Sequence, residues 1–145
     1  MSAGEIVAAL ELAPHPEGGR YREVFRDRNG DRGRVTHIYY LLDDGEISHW
    51  HRVDAVEIWH HYAGAPLTLS VSEDGAAVCE HLLGTQLSAG QAPSAVVPAG
   101  AWQSARSRGG WALMGCTVAP AFEFEGFEMA PPGWTPTKAR GSMTT

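Results

Sequence analysis

The sequence predicts an all-β domain preceded by one short helix, and three observations support this prediction. Glycine and proline are frequent, with 17 and 9 copies in 145 residues, whereas about 12% is usual for the two together. Apolar and polar residues alternate, so that Leu67, Leu69 and Val71 share one face of a predicted strand. Turn-forming pairs such as Asn29-Gly30 separate the alternating stretches. Many turns in a short chain indicate many short strands, which form a sandwich or a small barrel.

One helix and ten strands are predicted in chain order. Ile6, Val7 and Leu10 repeat at helical spacing, and Pro14 and Pro16 end this helix. From there the period is two, which predicts strands at Tyr21–Arg26, Val35–Leu42, His49–Val53, Val56–Tyr62, Leu67–Ser72, Ala76–Leu82, Ser94–Val97, Trp102–Arg106, Trp111–Val118 and Phe122–Met129. We expect residues 1–130 to form a single domain. Apolar periodicity then stops, so residues 131–145 are predicted to be a flexible C-terminal tail.

Composition argues against several classes of function. The formal net charge of −6 and the pI near 5.6 disfavour a protein that binds nucleic-acid backbones. No apolar run is long enough for a transmembrane helix, and the first residues lack the basic start of a secretory signal. Cys79 and Cys116 are too few for a disulfide scaffold. We therefore expect a cytoplasmic protein whose partner is a small molecule, with neither nucleic acid nor membrane as a partner.

Histidine and glutamate side chains are concentrated in the middle of the chain. Five of the seven histidines fall in one short stretch, together with Glu57. His49 and His51 lie two residues apart, so alternation places them on one face of a strand. The same alternation groups Glu57, Trp59 and His61. If both sets face one interior, imidazole and carboxylate ligands converge there, which suits a divalent Zn, Mn, Fe, Co or Ni ion.

Two glycine-framed motifs enclose these residues. The first comprises Gly45, His49-Trp-His51, Glu57 and Gly64, and the second comprises Gly90 and Pro98-Ala-Gly100-Ala-Trp-Gln103. In this order they resemble the two conserved motifs of the cupin superfamily. The stretches HPEGGRYRE, DAVEIWHHYAGAPL and VVPAGAWQSAR, followed by GWALMGCTVAPAFEFEGFEM, are similar to the small RmlC-like cupins of unassigned function. The resemblance covers about residues 10–130 and implies a double-stranded β-helix, the jelly-roll cupin barrel, after a short N-terminal helix.

The resemblance to cupins also implies a metal site inside the barrel. Its ligands would be His49, His51 and Glu57, with Gln103 at the position where the second motif usually has a histidine. An amide is a poorer ligand than an imidazole. Gln103 is therefore expected to complete the site by contacting a bound water or the substrate.

A metal-free site is the alternative that the resemblance implies, as in the sugar-nucleotide epimerases that share this fold. There a histidine beside an acid is the base, and a tyrosine donates the proton. His51 or His61 beside Glu57 would form such a dyad, with Tyr40 as the acid. Tyr39 and Tyr40 are neighbours on one strand, so only one of them points inward, and the sequence leaves open which.

Aromatic and basic side chains are candidates for a substrate pocket. Trp59 and Trp102 would form a wall that stacks an apolar or ring-shaped ligand, and Arg20 would anchor a carboxylate or phosphate. A core position for the tryptophans and a solvated position for the arginine are the alternatives. His15 stands between two prolines, where it either borders the pocket or caps the helix.

Three classes of function remain after these considerations. The chain is an enzyme for a small polar metabolite, sugar-like or carboxylate, or it is a ligand-binding module without turnover. A purely structural barrel is disfavoured, because burying unpartnered polar groups costs roughly 2–7 kcal/mol each. We also expect a homodimer, because residues 35–42 form a long apolar strand and the sheets have open edges.

Overall fold

The computed structural model describes residues 1–137. The helix and the strands of this part are α1 (Ala3–Leu10), β1 (Ala13–Pro14), β2 (Arg20–Arg26), β3 (Thr36–Leu42), β4 (Ile47–Val53), β5 (Val56–Gly64), β6 (Leu67–Ser72), β7 (Cys79–Leu83), β8 (Ser94–Val97), β9 (Trp102–Ser107), β10 (Ala112–Ala119) and β11 (Phe127–Met129). Two short 3-10 turns lie at Leu87–Ala89 and Phe124–Gly126. None of the helices in this part is long and apolar enough to cross a membrane.

The strands form two antiparallel sheets that face each other. The first sheet has the order β1-β2-β3-β10-β5-β8, and the second has the order β11-β4-β9-β6-β7. Apart from the consecutive pairs β1-β2, β2-β3 and β6-β7, strands that are neighbours in a sheet are distant in the chain, as in a jelly roll. The predicted all-β jelly-roll fold with one short N-terminal helix is therefore confirmed.

The core fills the space between the sheets, and alternation decides which side chains enter it. Leu67, Leu69 and Val71 of β6 point inward as predicted, and the two leucines have no exposed surface. They pack with Leu42 and Met114 from the first sheet. Each fully buried side chain of this size stabilises the fold by about 1.5–3 kcal/mol.

The predicted helix is present and covers part of the outer surface of the first sheet. It begins with a capping box, in which the Ser2 hydroxyl accepts from the Glu5 amide at 3.1 Å and the Glu5 carboxylate accepts from the Ser2 amide at 2.7 Å. Its buried face carries Ile6, which packs with Leu12 and with Leu41 of β3. The helix thus shields one end of the outer surface formed by β3 and β10.

The predicted strand at 122–129 is only partly correct, because its first half folds into a 3-10 turn. Phe122, Phe124 and Phe127 gather into one cluster, with ring centroids 4.9 to 5.9 Å apart. Alternation along a strand would have separated them onto two faces. Only Phe127–Met129 pairs with β4.

The first part of the predicted C-terminal tail packs on the second sheet. Trp134 lies 4.6 Å from Trp102 and 6.1 Å from Trp50, measured between ring centroids. The Thr137 amide donates to the Gly75 carbonyl oxygen at 3.1 Å. The rest of the predicted tail, residues 138–145, lies outside the described residues.

Candidate functional site

A cavity of about 60 Å³ lies between the two sheets. Its walls come from β2, β3, β5 and β10 of the first sheet, from β4 of the second sheet, and from the loop before β2. Its polar lining includes His15, Glu17, His51 and Glu57. At roughly 10–15 Å³ for each water, the cavity has room for a few waters or a small ligand.

A β-bulge in β4 decides which histidine reaches this cavity. Ser48 pairs with Ala105 and His51 with Gln103 on β9, so β4 advances three residues where β9 advances two. The extra residue breaks the alternation. His51 is 2% exposed and faces inward. His49 faces outward, where its Nε2 lies 3.1 Å from the carbonyl oxygens of Ala130 and of Pro131.

The prediction that His49 and His51 share one face is therefore wrong. Period-two spacing holds only along an unbroken ladder, and the bulge shifts His49 to the outer surface. His49 and its neighbour Trp50 border a groove there, together with Trp134.

The tautomer of His51 follows from its partners. Its Nδ1 lies 2.8 Å from the carbonyl oxygen of His49. A carbonyl only accepts, so Nδ1 carries the proton and Nε2 is free to accept. That Nε2 lies 3.4 Å from Oε1 of Glu17.

Glu17 is the residue that the sequence analysis missed. It lies in the Pro-His-Pro-Glu-Gly-Gly loop before β2, and this loop folds against the barrel. The Ser48 hydroxyl donates to Glu17 Oε2 at 2.7 Å, and the His49 amide donates to the Glu17 carbonyl oxygen at 2.7 Å. The sequence signal that could have indicated Glu17 is the pair of prolines and the pair of glycines around it. Prolines restrict the backbone, and both glycines adopt a positive φ, so the loop holds Glu17 in a defined position.

Glu17, His15 and His51 form a cluster around one carboxylate oxygen, and we call it the Glu17 cluster. Glu17 Oε1 lies 3.4 Å from His15 Nδ1 and 3.4 Å from His51 Nε2. His15 Nδ1 also accepts from the Glu17 amide at 3.2 Å, so both nitrogens offer lone pairs to the carboxyl group. A bare carboxylate would repel them. A proton on the carboxyl group or on one of the imidazoles would relieve this repulsion.

The electrostatics of the Glu17 cluster agree with this geometry. Burial raises the pKa of Glu17 above its ordinary value and lowers the pKa of His15 and of His51. Burial thus favours the neutral carboxyl group of Glu17 over its carboxylate, and the neutral imidazoles over their charged forms.

Glu57 is the second buried carboxyl group in the cavity. Burial is the main cause that raises its pKa to about 7, while His51 acts in the opposite direction. Gln103 donates from its Nε2 to Glu57 Oε1 at 2.9 Å. Trp59 donates from its Nε1 to Gln103 Oε1 at 2.8 Å. Trp59 thus lines the cavity as predicted, and Gln103 lies inside the barrel beside it.

Tyr40 is the tyrosine that points inward, whereas Tyr39 lies on the other face. The Tyr40 hydroxyl donates to the carbonyl oxygen of Gly18 at 2.5 Å. Burial raises the pKa of Tyr40 well above its ordinary value. Its proton is held by the loop that carries Glu17, so this geometry favours an orienting task over the predicted role of acid.

His61 shares the inward face of β5 with Glu57 and Trp59, as predicted, but it does not line the cavity. Its Nε2 donates to the carbonyl oxygen of Ala65 at 2.8 Å. Glu57 and His61 stand four residues apart on an extended strand, which places the imidazole at the other end of the barrel. The prediction that His61 shares the Glu57 cavity is therefore wrong.

Two residues predicted to line the substrate pocket lie outside it. Trp102 precedes Gln103 on β9 and so faces outward, where it packs on Trp134 with the Arg52 guanidinium 4.5 Å from its ring. Arg20 is exposed and pairs in register with Leu41, whose side chain faces α1. In both cases the alternation of side chains along the strand places the residue on the outer surface of its sheet.

The predicted metal ligands do not fit a metal ion. His49 points outward, and the oxygen of Gln103, its only ligating atom, accepts from Trp59. The amide nitrogen that Gln103 turns towards Glu57 has no lone pair to offer. Within residues 1–137, no three His, Cys, Asp or Glu side chains are grouped to hold a metal. Only His51 and Glu57 of the predicted set remain in the cavity.

Comparison with known proteins identifies similar chains. A family model described as "Cupin superfamily (DUF985)" matches residues 4–130. A crystal structure from Shewanella oneidensis is 36% identical with a TM-score of 0.85, over 90% of this chain and 85% of that one. A hypothetical protein from Leishmania major is 29% identical with a TM-score of 0.82, over 92% and 90%. Oxalate decarboxylase from Bacillus subtilis, at 14% identity, TM-score 0.65 and coverage of 80% and 29%, shares the fold alone. No curated protein matches the chain.

Proposed function

We propose that this chain, which belongs to the DUF985 family of the cupin superfamily, is a metal-independent enzyme that transfers protons on a small polar metabolite. The observation that carries this proposal is the Glu17 cluster, with one carboxylate oxygen 3.4 Å from two imidazole nitrogens. The cluster shares a buried cavity with Glu57. Groups that hold protons on two sides of a cavity provide a base and an acid for one substrate.

The proposed reaction is an epimerisation or isomerisation next to a carbonyl group. A proton leaves the substrate carbon for the Glu17–His51 pair, and the C–H electron pair moves into the neighbouring carbonyl. The carbonyl oxygen takes the proton of Glu57. For an isomerisation, the pair returns its proton to the neighbouring carbon, and Glu57 takes a proton from the neighbouring hydroxyl group. For an epimerisation, Glu57 takes back the proton of the oxygen and delivers it to the other face of the carbon, and the proton on the pair then passes to Glu57. Both groups are restored in either case.

The charges around the cavity favour an uncharged substrate. Arg26 is the one arginine of the lining, and it is bound by both oxygens of Glu23, at 3.0 and 2.9 Å, and by the carbonyl oxygen of Phe122. Its Nε and Nη2 donors are thus committed to these oxygens, and the Glu23 carboxylate offsets its charge. A sugar-like or hydroxycarbonyl compound fits this lining better than a carboxylate does.

The test is solvent-deuterium exchange, followed by NMR, on a panel of small sugars and hydroxycarbonyl compounds. We expect metal-stripped protein to label a C–H position. The substitutions His51→Asn and Glu17→Gln should each lower the rate by about 100-fold or more, because each removes a proton-holding group. Glu17→Gln does so without changing the shape of the side chain. The control His81→Asn, on β7 and outside the cavity lining, should keep the wild-type rate.

Three outcomes would contradict this proposal. Exchange that disappears on metal removal and returns with an added divalent ion would indicate a metal enzyme. Binding of a panel compound without exchange in wild-type protein would indicate the ligand-binding module. Equal rates in wild type and His51→Asn would remove His51 from the reaction.

We also propose that the protein is a homodimer, built through the outer face of the first sheet. Phe25, His37, Thr117, Ile58 and Val96 are paired in register across five strands, and none carries a carboxylate, ammonium or guanidinium group. Phe25 and Val96 are 55% and 56% exposed. In a chain with a net charge of −6, a row without carboxylates and with exposed apolar side chains at both ends is where two copies approach without repulsion.

Sedimentation equilibrium at micromolar concentration should give the mass of a dimer. The double substitution Phe25→Lys with Val96→Lys should give a monomer, because it puts like charges into the interface on both copies. The control Leu87→Lys changes another exposed apolar residue, 67% exposed and in the 3-10 turn Leu87–Ala89 rather than in this row, and should stay dimeric. A monomeric wild-type protein would refute the proposal.

A further inference from the structure

Three side chains form a hydrogen-bonded chain whose direction is fixed by its first member. An indole N–H donates and never accepts. Because Trp59 donates to Gln103 Oε1 at 2.8 Å, the amide of Gln103 must present its nitrogen on the other side. That nitrogen donates to Glu57 Oε1 at 2.9 Å. All three side chains are buried, so water does not compete for these bonds.

This direction makes the two oxygens of Glu57 unequal. Oε1 already accepts a hydrogen bond from Gln103, which makes it a poor place for the carboxyl proton. Oε2 is left for the carboxyl proton and for a ligand in the cavity that Glu57 lines. If the amide were reversed, its oxygen would face Glu57, and the carboxyl proton would be drawn to Gln103.

We infer that Trp59 and Gln103 are positioning residues that hold Glu57 by Oε1 and thereby present Oε2 to the substrate. This inference rests on the proposed function, because it assigns a purpose to Glu57 as the proton donor. It also gives Gln103 a task at the position where cupin motifs usually carry a histidine. The amide N–H supports the carboxyl group, where an imidazole would offer a lone pair to a metal.

Groups from four elements act on Glu57. Gln103 from β9 donates to it, and His51 from β4 lowers its pKa, whereas burial and Glu17 from the loop before β2 raise it. Cys116 on β10 acts in the same direction as His51 and lowers the pKa of Glu57. A donor stabilises the charged carboxylate, so the hydrogen bond from Gln103 opposes the effect of burial. Loss of this donor should therefore raise the pKa of Glu57 further.

The test is a ¹³C NMR titration of the glutamate carboxyl carbons in ligand-free protein, with Glu57 assigned from the signal missing in Glu57→Gln. Trp59→Phe removes only the indole N–H, which frees the amide of Gln103 to turn its oxygen towards Glu57. We expect the pKa of Glu57 to rise by about one unit. Gln103→Leu removes the donor itself and should raise the pKa of Glu57 by at least as much.

Trp102→Phe is the matched control, because it makes the same change on the outer face, next to Gln103 in the chain. It should leave the titration of Glu57 at the wild-type value. If Trp59→Phe fails to fold, Gln103→Leu alone decides the result. If Glu57 titrates as in the wild type in folded Trp59→Phe and Gln103→Leu, the inference is overturned. The titration needs no substrate, so its result is independent of whether the proposed exchange activity is found.

Discussion

Gly18→Ala should lower the free energy of unfolding by roughly 2–5 kcal/mol, through two effects at one position. Gly18 has a φ of +106°, which an alanine adopts only with strain of about 1–2 kcal/mol. A β-carbon there would also overlap the carbonyl oxygen of Ile47. Relief of this overlap requires the loop to move away from β4, at a further cost of about 1–3 kcal/mol.

The control for this prediction is Gly109→Ala. Gly109 has a φ of +88°, but a β-carbon there would meet nothing within 4 Å. It should therefore show the conformational cost alone, and the difference between the two variants measures the overlap. Urea denaturation provides both free energies. Equal losses would show that the loop is not packed against β4 as described.

The Gly18 substitution should also disturb the candidate site, because the same loop carries Glu17. Tyr40 holds this loop through the carbonyl oxygen of Gly18, and the Glu17 backbone accepts from the His49 amide. A shift of the loop pulls Glu17 Oε1 away from His51. The imidazole of His51 should then titrate as an independent group in a histidine NMR titration.

The second large effect is a dependence of the free energy of unfolding on pH, which Glu57 causes. Burial raises the pKa of Glu57 to about 7 in the folded protein, from an ordinary value of 4.5. The folded state therefore binds more protons than the unfolded state between these values. The stability contributed by the protonated carboxyl group is complete below pH 4.5 and is lost as pH rises through 7. The expected loss is about 3 kcal/mol.

Glu57→Gln should remove this loss, because an amide does not ionise and its oxygen still accepts from Gln103. The variant should be close to wild type in stability at pH 5 and more stable by about 3 kcal/mol at pH 8 or above. His15 and His51, whose pKa values are lowered, act in the opposite direction below pH 6.5, but both proteins contain them. Urea denaturation across this range provides the comparison. A constant difference at all pH values would mean that Glu57 titrates normally.

Much of the fold could be predicted from local patterns, because a strand needs only period two and a turn needs only its own residues. Leu67, Leu69 and Val71 enter the core as their alternation indicates. The same reasoning placed Trp59 inside, and the second motif placed Gln103 beside it. The inward position of Tyr40 was one of two choices that alternation allowed.

Predictions for the candidate site failed where two parts of the chain had to meet. The bulge in β4 is visible only in its pairing with β9, and it turns His49 outward while His51 stays inside. Arg20 and Trp102 lie on strands that were correctly expected, but on their outer faces. His61 lies on the inward face of β5, as predicted, but at the opposite end of the barrel from Glu57.

The sequence by itself determined the all-β jelly roll, the short first helix and the identity of His51 and Glu57 as interior groups, because these depend on periodicity and on two ordered motifs. Only the tertiary structure decided the chemistry of the cavity. It brought Glu17 from a distant loop to within 3.4 Å of His51 and turned the amide of Gln103 towards Glu57. The physical reason is that hydrogen-bond direction and burial depend on groups far apart in the chain. The spacing of residues along one strand contains no information about them.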